Sequence, residues 1–472
     1  MTQELITISP IDGREVVRRP YASEAQIAQA LADAQAAQAP WHALGIEQRA
    51  RILSEAVTRF VAAKAEAARA ITIQMGRPLR YTPGEVDGFE ARARHMISIA
   101  AAALAPIRVP ELTGFTRFIS REPIGVALTI APWNYPLLTA VNSIVPALMA
   151  GNTVILKHSD QTPLCAELIG RAFSEAGVPP GVFQYLHANH DIAQRLIRAP
   201  EIGYVSFTGS VRGGRSVEQA AAGRFIGVGL ELGGNDPAYV RADAKLDHAV
   251  ETLVDGAFFN SGQSCCGIQR IYVARSRYQE FVDRAASLTN DYVLGDPLRA
   301  ETTLGPVVRT RAADEVREVI DEALSRGARN LVDASRFEAA RAGTPYVAPA
   351  LLTQVDHHMR IMNDECFGPV VGVMPVDSDE EAVALMNDSP YGLTAAVFTQ
   401  DEDAALHLGR QVHTGTFFMN RCDYLDPALA WTGVKHTGRG VSLSQVGYEQ
   451  LTQAKSLSLI HISEPTRLRR IS

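Results

Sequence analysis

The sequence lacks the features that mark membrane-spanning, disulfide-rich, nucleic-acid-binding and secreted proteins. No stretch of its 472 residues reaches the roughly 18 uninterrupted apolar residues of a membrane-spanning helix. Its five cysteines are too few and too scattered for a disulfide framework, and they favour a reducing, cytoplasmic location. The formal net charge of −7 leaves no basic excess for a nucleic-acid partner. The acidic start of the chain, with Glu4, Asp12 and Glu15, lacks the pattern of a signal peptide.

The overall composition, with 46% hydrophobic and 21% charged residues, is typical of a globular enzyme. At about 150 residues per domain, the length suggests about three folding units. Ser23 precedes an apolar stripe with helical spacing that starts at Ile27, and a second stripe runs over residues 52–61. These stripes predict two amphipathic helices, the first of them capped by Ser23.

From Gly125 onwards, short apolar runs alternate with helical stretches. The first runs lie at 125–130, 152–157, 181–186 and 204–209, and a second series after Gly234 includes helices at 243–256, 276–290 and 311–326. Uninterrupted apolar strands between helices are typical of parallel sheets that are covered on both faces. The pattern therefore predicts two α/β domains.

Three segments carry residues suited to catalysis, although none is specific alone. Phe259–Cys266 ends in two cysteines after Gly262, a glycine that would let the backbone approach a cofactor or substrate closely. A thiolate is a nucleophile, but paired cysteines are more often structural. Glu231 leads into a Gly-Gly turn, which suits a water-activating carboxylate and equally a plain surface glutamate. Asn134 follows an apolar strand, where its amide can donate to an oxyanion.

Together, the order of these segments and the 34-residue spacing from Glu231 to Cys265 resemble the aldehyde dehydrogenase superfamily. The resemblance covers about residues 5–456 and includes Leu156–Pro163, Phe207–Ser210, Glu365–Val370 and Gly438–Gly440. It implies an α/β fold with two Rossmann-like parallel-sheet domains plus a small β oligomerisation arm. The implied division is a dinucleotide-binding domain (1–109 and 125–233), a catalytic domain (234–436) and the arm (110–124 and 437–456).

The resemblance also implies the chemistry, the oxidation of an aldehyde to a carboxylic acid with NAD(P)+. Cys265 would form a thiohemiacetal and then a thioester, and Asn134 with the Cys265 N–H would form the oxyanion hole. Glu231 would activate the hydrolytic water, which argues against acyl transfer to coenzyme A. Two functions of different classes compete with this one. They are a cysteine hydrolase, for which His248 is the nearest histidine in sequence, and a binding protein without catalysis.

By the same resemblance, the cofactor would contact Trp133, Lys157, Asp160, Gly209, Ser210, Glu365 and Phe367. No GxGxxG fingerprint follows a predicted strand, and aldehyde dehydrogenases also lack it. The Asp160 carboxylate beside a ribose 2′-hydroxyl favours NAD over NADP, although its short side chain leaves room for NADP. His158 is expected to be a partly exposed, neutral scaffold residue, whereas a protonated His158 would favour NADP. No metal site is predicted.

The implied substrate pocket contains Tyr135, Leu138, Ser264, Cys266, Tyr424 and Trp431. Tyr424 and Trp431 would give it an aromatic, largely neutral mouth, and Cys266 is expected to be a packing thiol. The nearby charges of Arg421 and Asp423 are opposite and are expected to pair, which argues against an anion clamp. We therefore predict an apolar or aromatic aldehyde as substrate, with a semialdehyde as the alternative.

The end of the chain differs from its body. Residues 457–472 end with basic residues, and Leu457–Arg467 is identical to the translation of a common transposase-type sequencing-library adapter. We expect residues 457–472 to be an artefact of sequence assembly; the alternative is a genuine basic tail. The final strand, starting near Ala454, is expected from the resemblance to pair with a partner subunit in a homodimer or homotetramer.

Overall fold

The computed structural model describes residues 4–461, and in that range the chain forms thirteen α-helices and eighteen β-strands. The helices are α1 (Glu24–Ala43), α2 (Gly45–Ala62), α3 (Lys64–Met75), α4 (Thr82–Ala103), α5 (Pro136–Met149), α6 (Pro163–Glu175), α7 (His190–Arg198), α8 (Val211–Ala221), α9 (Leu246–Phe258), α10 (Arg275–Asn290), α11 (Thr310–Ser325), α12 (Asp379–Asn387) and α13 (Glu402–Gly409). The strands are β1 (Glu4–Ile8), β2 (Glu15–Pro20), β3 (Ile107–Arg108), β4 (Phe115–Pro123), β5 (Val126–Ala131), β6 (Thr153–His158), β7 (Phe183–Tyr185), β8 (Ile202–Thr208), β9 (Gly227–Glu231), β10 (Asp236–Val240), β11 (Ile268–Ala274), β12 (Arg329–Asn330), β13 (Ala350–Thr353), β14 (Val370–Val376), β15 (Thr394–Phe398), β16 (Thr416–Met419), β17 (Gly438–Arg439) and β18 (Thr452–Ile460).

The two predicted N-terminal helices are present as α1 and α2. Ser23 caps α1 as expected, because its hydroxyl accepts a hydrogen bond from the Gln26 backbone while its own N–H donates to the Gln26 side chain. The stripe that begins at Ile27 is buried, and so is the stripe of α2 from Leu53 to Phe60.

The first large sheet has the strand order β17-β9-β8-β5-β6-β7 and is parallel except for β17. Every residue of β5 is buried. Ala127 and Ala131 pack into one hydrophobic cluster, while Val126 and Leu128 pack into another. Because neighbouring side chains of a strand point to opposite faces, β5 is covered on both sides, which explains its uninterrupted apolar run.

The second large sheet has the order β12-β13-β14-β11-β10-β15-β16 and is parallel except for β12. All residues of β10 are buried between two clusters. The predicted helices at 243–256, 276–290 and 311–326 correspond to α9, α10 and α11 within a few residues. The predicted α/β fold with two parallel-sheet units is confirmed.

A small antiparallel sheet has the order β18-β4-β3, and β18 pairs with β4 along its whole length. Two short strands pair outside the units to which the expected boundaries assign them. β3, from the range 1–109, joins this small sheet. β17, from the range 437–456, pairs with β9 in the first large sheet, where Gly438 lies opposite Glu231. Of the suspected adapter segment, residues 457–460 belong to β18, and residues beyond 461 lie outside the described part of the chain.

Across residues 4–461, no helix combines the length and the apolar character needed to cross a bilayer.

Candidate active site

A cavity of about 410 Å³ brings Cys265 and Glu231 together. Its wall also contains all six residues that the sequence places in the substrate pocket, namely Tyr135, Leu138, Ser264, Cys266, Tyr424 and Trp431. Glu231 is the last residue of β9, at the carboxyl edge of the first sheet, whereas Cys265 precedes β11 of the second sheet. The cavity therefore lies where the two α/β units meet.

The loop before Cys265 has an unusual backbone. Asn260 and Ser261 adopt φ angles of 54° and 56°, and Gly262 follows at +69°. A Cβ atom at Gly262 would overlap the carbonyl oxygen of Gly368, so the space at this glycine is filled by protein backbone. This corrects the expectation that Gly262 makes room for a cofactor or substrate.

The two adjacent cysteines have different surroundings. Cys265 is half-buried, whereas Cys266 is buried and its thiol donates to Asp423 Oδ1 at 2.9 Å. A hydrogen bond with Cys265 and burial raise the pKa of Cys266 well above its usual range. Cys266 therefore stays protonated, and Cys265 is the thiol that is more open to the cavity.

Glu231 is held at the cavity by two hydroxyl groups. Ser442 Oγ donates to one carboxylate oxygen, and Thr208 Oγ1 donates to the other at 3.2 Å. Burial raises the pKa of Glu231 above that of an ordinary glutamate, although both hydrogen bonds oppose this shift. A carboxylate with a raised pKa is a stronger base, as activation of water requires.

Asn134 lies beside the nucleophile loop and not on the cavity wall. Its side-chain Nδ2 donates to Gln263 O at 3.1 Å, and Asn260 Nδ2 donates to its backbone oxygen at 3.2 Å. The structure thus brings Asn134 next to the segment that carries Cys265. One hydrogen of its amide group is already engaged there.

A buried ion pair that the sequence did not predict supports this region. Arg77 Nη1 lies 2.5 Å from Glu85 Oε2, and both side chains are almost completely buried. Arg77 also donates to Asn260 Oδ1 at 2.9 Å and to the Asn134 backbone oxygen. Glu85 Oε1 accepts from the Leu137 N–H at 2.8 Å, in the first turn of α5. Arg77 and Glu85 are only eight residues apart, but their other partners lie 52 to 183 residues away, so no local sequence pattern signals this network.

The expected pairing of Arg421 with Asp423 is wrong. The Arg421 guanidinium lies 3.6 Å from the centre of the Tyr424 ring, whereas Asp423 points into the cavity and accepts from Ser264 Oγ at 3.1 Å. Asp423 has a φ of 45°, in the left-handed region that few residues other than glycine adopt. Burial raises the pKa of Asp423 to about 6.

Several predicted cofactor residues lie at the carboxyl edge of the first sheet, where open α/β sheets bind ligands. Lys157, near the end of β6, approaches Asp160 Oδ1 at 3.3 Å, and Tyr21 donates to Asp160 Oδ2 at 2.8 Å. Gly209 and Ser210 connect β8 to α8, and Ser210 Oγ accepts from the Gly213 N–H. The N–H groups at the start of α8 suit a phosphate, and Lys157 suits a ribose, so these residues fit a dinucleotide.

His158 is buried, not partly exposed, and burial lowers its pKa to about 4. Its Nδ1 also accepts from the Ser159 N–H at 2.9 Å, so burial and this hydrogen bond both favour the neutral form, which offers no charge to a 2′-phosphate.

The remaining predicted cofactor residues, Trp133, Glu365 and Phe367, are not part of the cavity wall. Trp133 and Phe367 form an edge-to-face pair with 5.8 Å between ring centres. Glu365 accepts from the Gly234 N–H at 3.0 Å, and burial raises its pKa to about 7. A Cβ atom at Gly234 would overlap the Cys265 carbonyl oxygen, so this turn packs directly against the nucleophile.

A nucleotide-type sheet edge that meets a cysteine, a glutamate and an asparagine is the arrangement of a cysteine-dependent dehydrogenase. The model of the aldehyde dehydrogenase family matches residues 1–457, and the chain belongs to this family. The predicted family and the predicted NAD(P)-dependent oxidation of an aldehyde are thereby confirmed.

Known relatives match nearly the whole chain. The succinate-semialdehyde dehydrogenase (NADP(+)) of Deinococcus radiodurans is 34% identical over 95% of this chain and 93% of its own length. The 3,6-anhydro-alpha-L-galactose dehydrogenase of Streptomyces coelicolor is 35% identical over 97% and 93%, respectively. The solved structure of PnpE, from Pseudomonas sp. WBC-3, in complex with nicotinamide adenine dinucleotide is 30% identical, with a TM-score of 0.92 over 98% of this chain and 95% of that chain.

Proposed function

We propose that the chain oxidises a non-acidic aldehyde to its carboxylic acid, with Cys265 as the nucleophile, Glu231 as the base and Asn134 as an oxyanion donor. One observation carries this assignment. Cys265 and Glu231 line one cavity, while the neighbouring thiol of Cys266 is bound to Asp423.

In the proposed reaction, the Cys265 sulfur adds to the aldehyde carbon, and its own N–H and the second amide hydrogen of Asn134 stabilise the charge that forms on oxygen. Bound NAD(P)+ supplies the hydride acceptor. Water then attacks the thioester on Cys265, its proton passes to Glu231, and the acid is released with the thiol restored.

We also propose that Trp133, Lys157, Asp160, Gly209, Ser210, Glu365 and Phe367 contact the cofactor, and that NAD is preferred to NADP. The argument for NAD is the Asp160 carboxylate, whose oxygens are held by Lys157 and Tyr21 close to the strand end. A fixed negative charge there repels a 2′-phosphate. In this proposal, residues 1–109 and 125–233 bind the dinucleotide, and residues 234–436 carry the nucleophile.

For the substrate, the cavity favours an apolar or aromatic aldehyde over an ω-carboxylated one. Its wall includes four aromatic residues and the Asp423 carboxylate. The semialdehyde alternative is supported by Arg92, which lines the same cavity. However, Arg92 already donates to Leu138 O at 3.0 Å and Asn142 Oδ1 at 3.2 Å.

The proposed location is the cytoplasm, which is consistent with five cysteines that are all free thiols. The proposed assembly is a homodimer or homotetramer that pairs through residues 110–124 and β18.

The test is the growth of NADH absorbance with an apolar aldehyde, measured with and without coenzyme A. We expect turnover without coenzyme A, none in Cys265→Ala, and in Glu231→Gln one rapid burst per site followed by turnover slowed about 100-fold or more. Turnover that requires coenzyme A, ester cleavage without NADH formation, or activity in Cys265→Ala would contradict the proposal.

A further inference from the structure

The charged side chains that line the substrate cavity are mostly acidic, although Arg77 and Arg421 lie outside this lining, over the Tyr135 and Tyr424 rings. Within the described chain, the lining residues include three acids, Glu231, Asp255 and Asp423, but a single base, Arg92. Among the nearby acids, Glu231 raises the pKa of Arg92 the most. Arg92 in turn lowers the pKa of Glu231. The positive charge of Arg92 is thus offset at the Glu231 end of the cavity.

Asp423 lies at a different part of the wall. Both hydrogen bonds that it accepts, from Ser264 Oγ at 3.1 Å and Cys266 Sγ at 2.9 Å, go to Oδ1. Those donors flank Cys265 in the sequence, so the carboxylate stands close to the reacting thiol. A pKa of about 6 leaves Asp423 mostly ionised at neutral pH, and Asp255 on α9, whose own pKa is raised by burial, is a second acid in the same wall.

Aromatic rings share this cavity with the two carboxylates. Tyr135, Phe259, Tyr424 and Trp431 all belong to its wall. Arg77 lies over the Tyr135 ring and Arg421 over the Tyr424 ring, so in the described chain Phe259 and Trp431 are the wall rings without a stacked arginine. Aromatic faces together with carboxylates are the groups that bind alkylated ammonium ions, because the ring face is negative and the alkyl groups gain apolar contact. A carboxylate substrate would instead be repelled by Asp423 and Asp255.

We propose that Asp423, assisted by Asp255, makes this enzyme selective for an aldehyde that carries a positively charged ammonium group. The proposal rests on the proposed function and names its substrate class. The sequence predicts a substrate with an apolar surface, and in this proposal the alkyl groups on the ammonium nitrogen provide that surface.

The test compares two aldehydes of equal shape, trimethylammonioacetaldehyde and its uncharged isostere 3,3-dimethylbutanal, with succinate semialdehyde as the anion. We expect kcat/KM to be about tenfold or more higher for the cation than for the neutral isostere. In Asp423→Asn, this ratio should fall about tenfold, because the amide keeps the size and the acceptor oxygen but loses the charge. Asp255→Asn, on the exposed side of α9, should lower the ratio less.

Asp426→Asn is the matched control, since Asp426 belongs to the same loop but does not line the cavity and caps Ala428 N instead. It should leave the ratio unchanged. A ratio near or below one in the unmodified enzyme, preference for succinate semialdehyde, or an unchanged ratio in both Asp423→Asn and Asp255→Asn would overturn the proposal. If Asp423→Asn does not fold, the ratio in the unmodified enzyme and in Asp255→Asn still decides. Failure to oxidise any aldehyde would instead refute the proposed function.

Discussion

Gly262 illustrates how one residue holds the nucleophile in place. Its φ of +69° is unfavourable for other residues, and a Cβ atom would overlap Gly368 O. A side chain at position 262 would therefore meet two different costs, a strained backbone conformation and a steric overlap with the segment that follows Glu365. We expect the steric overlap, and not the backbone strain, to displace the loop that carries Cys265.

We expect Gly262→Ala to lower the free energy of unfolding by more than the roughly 1 kcal/mol that a left-handed backbone alone costs, and to reduce kcat strongly. The matched control is Gly177→Ala, where φ is +80° but nothing lies within 4 Å of the added Cβ. Urea unfolding and kcat should show the backbone cost alone in the control. Equal losses of stability and activity in the two variants would mean that the contact with Gly368 has no role.

At the scale of elements, the Arg77–Glu85 pair joins the neighbouring helices α3 and α4 to two segments that are distant in sequence. Arg77 follows α3, Glu85 lies in α4, and their hydrogen bonds reach the start of α5 and the loop after α9. Asn134 and Asn260 are both held by Arg77. We therefore regard Arg77 and Glu85 as positioning residues for the oxyanion donor and the nucleophile loop.

We expect Arg77→Met to cost about 3 to 5 kcal/mol of stability, because it leaves the buried Glu85 without its partner. The double variant Arg77→Met with Glu85→Gln should regain much of that stability but not kcat, since the Asn134 carbonyl then keeps only its bond from Asn260, and Asn260 has itself lost Arg77. Arg59→Met is the control, because the exposed Arg59–Glu55 pair should be worth under about 1 kcal/mol and should not affect kcat. Recovery of kcat in the double variant would show that the pair serves stability alone.

The sequence predicts the elements better than the contacts between them. The strands β5 and β6 are visible because burial on both faces demands uninterrupted apolar runs. Cys265 and Glu231 stand out because their spacing resembles a known family. The Arg77–Asn260 hydrogen bond spans 183 residues and follows no periodic pattern, so only the folded chain reveals it.

The direction of the Asp423 side chain escapes sequence reasoning for a related reason. Its nearest opposite charge in sequence, Arg421, suggests a local pair. The left-handed backbone at Asp423 and the packing of Arg421 on Tyr424 decide otherwise, and neither follows from the order of the residues. Side-chain direction in an irregular loop depends on tertiary contacts.

For the whole molecule, the strand that bears most directly on assembly is β18. The strand order β18-β4-β3 places β18 at an edge of its sheet, so in the described part of the chain one flank of its backbone has no neighbouring strand. Leu459 and Ile460 on this strand are exposed, at 52% and 60% of their surface, and both belong to the suspected adapter segment, which here takes the place of the expected final strand. An exposed edge with apolar side chains is suited to pairing with a second copy of the chain.

We expect the full chain to form a dimer or tetramer in light scattering, and truncation after Ser456 to shift it towards the monomer at equal concentration. The truncation removes the part of β18 that pairs with Phe115 to Phe118, so the edge strand becomes short and the first residues of β4 lose their partners on β18. Truncation after His461 is the control, because it keeps all of β18 and should leave the number of subunits per particle unchanged. If the chain truncated after Ser456 keeps the same number of subunits as the full chain on dilution, the assembly uses another surface. The strand β18 then serves only to complete the sheet with β4.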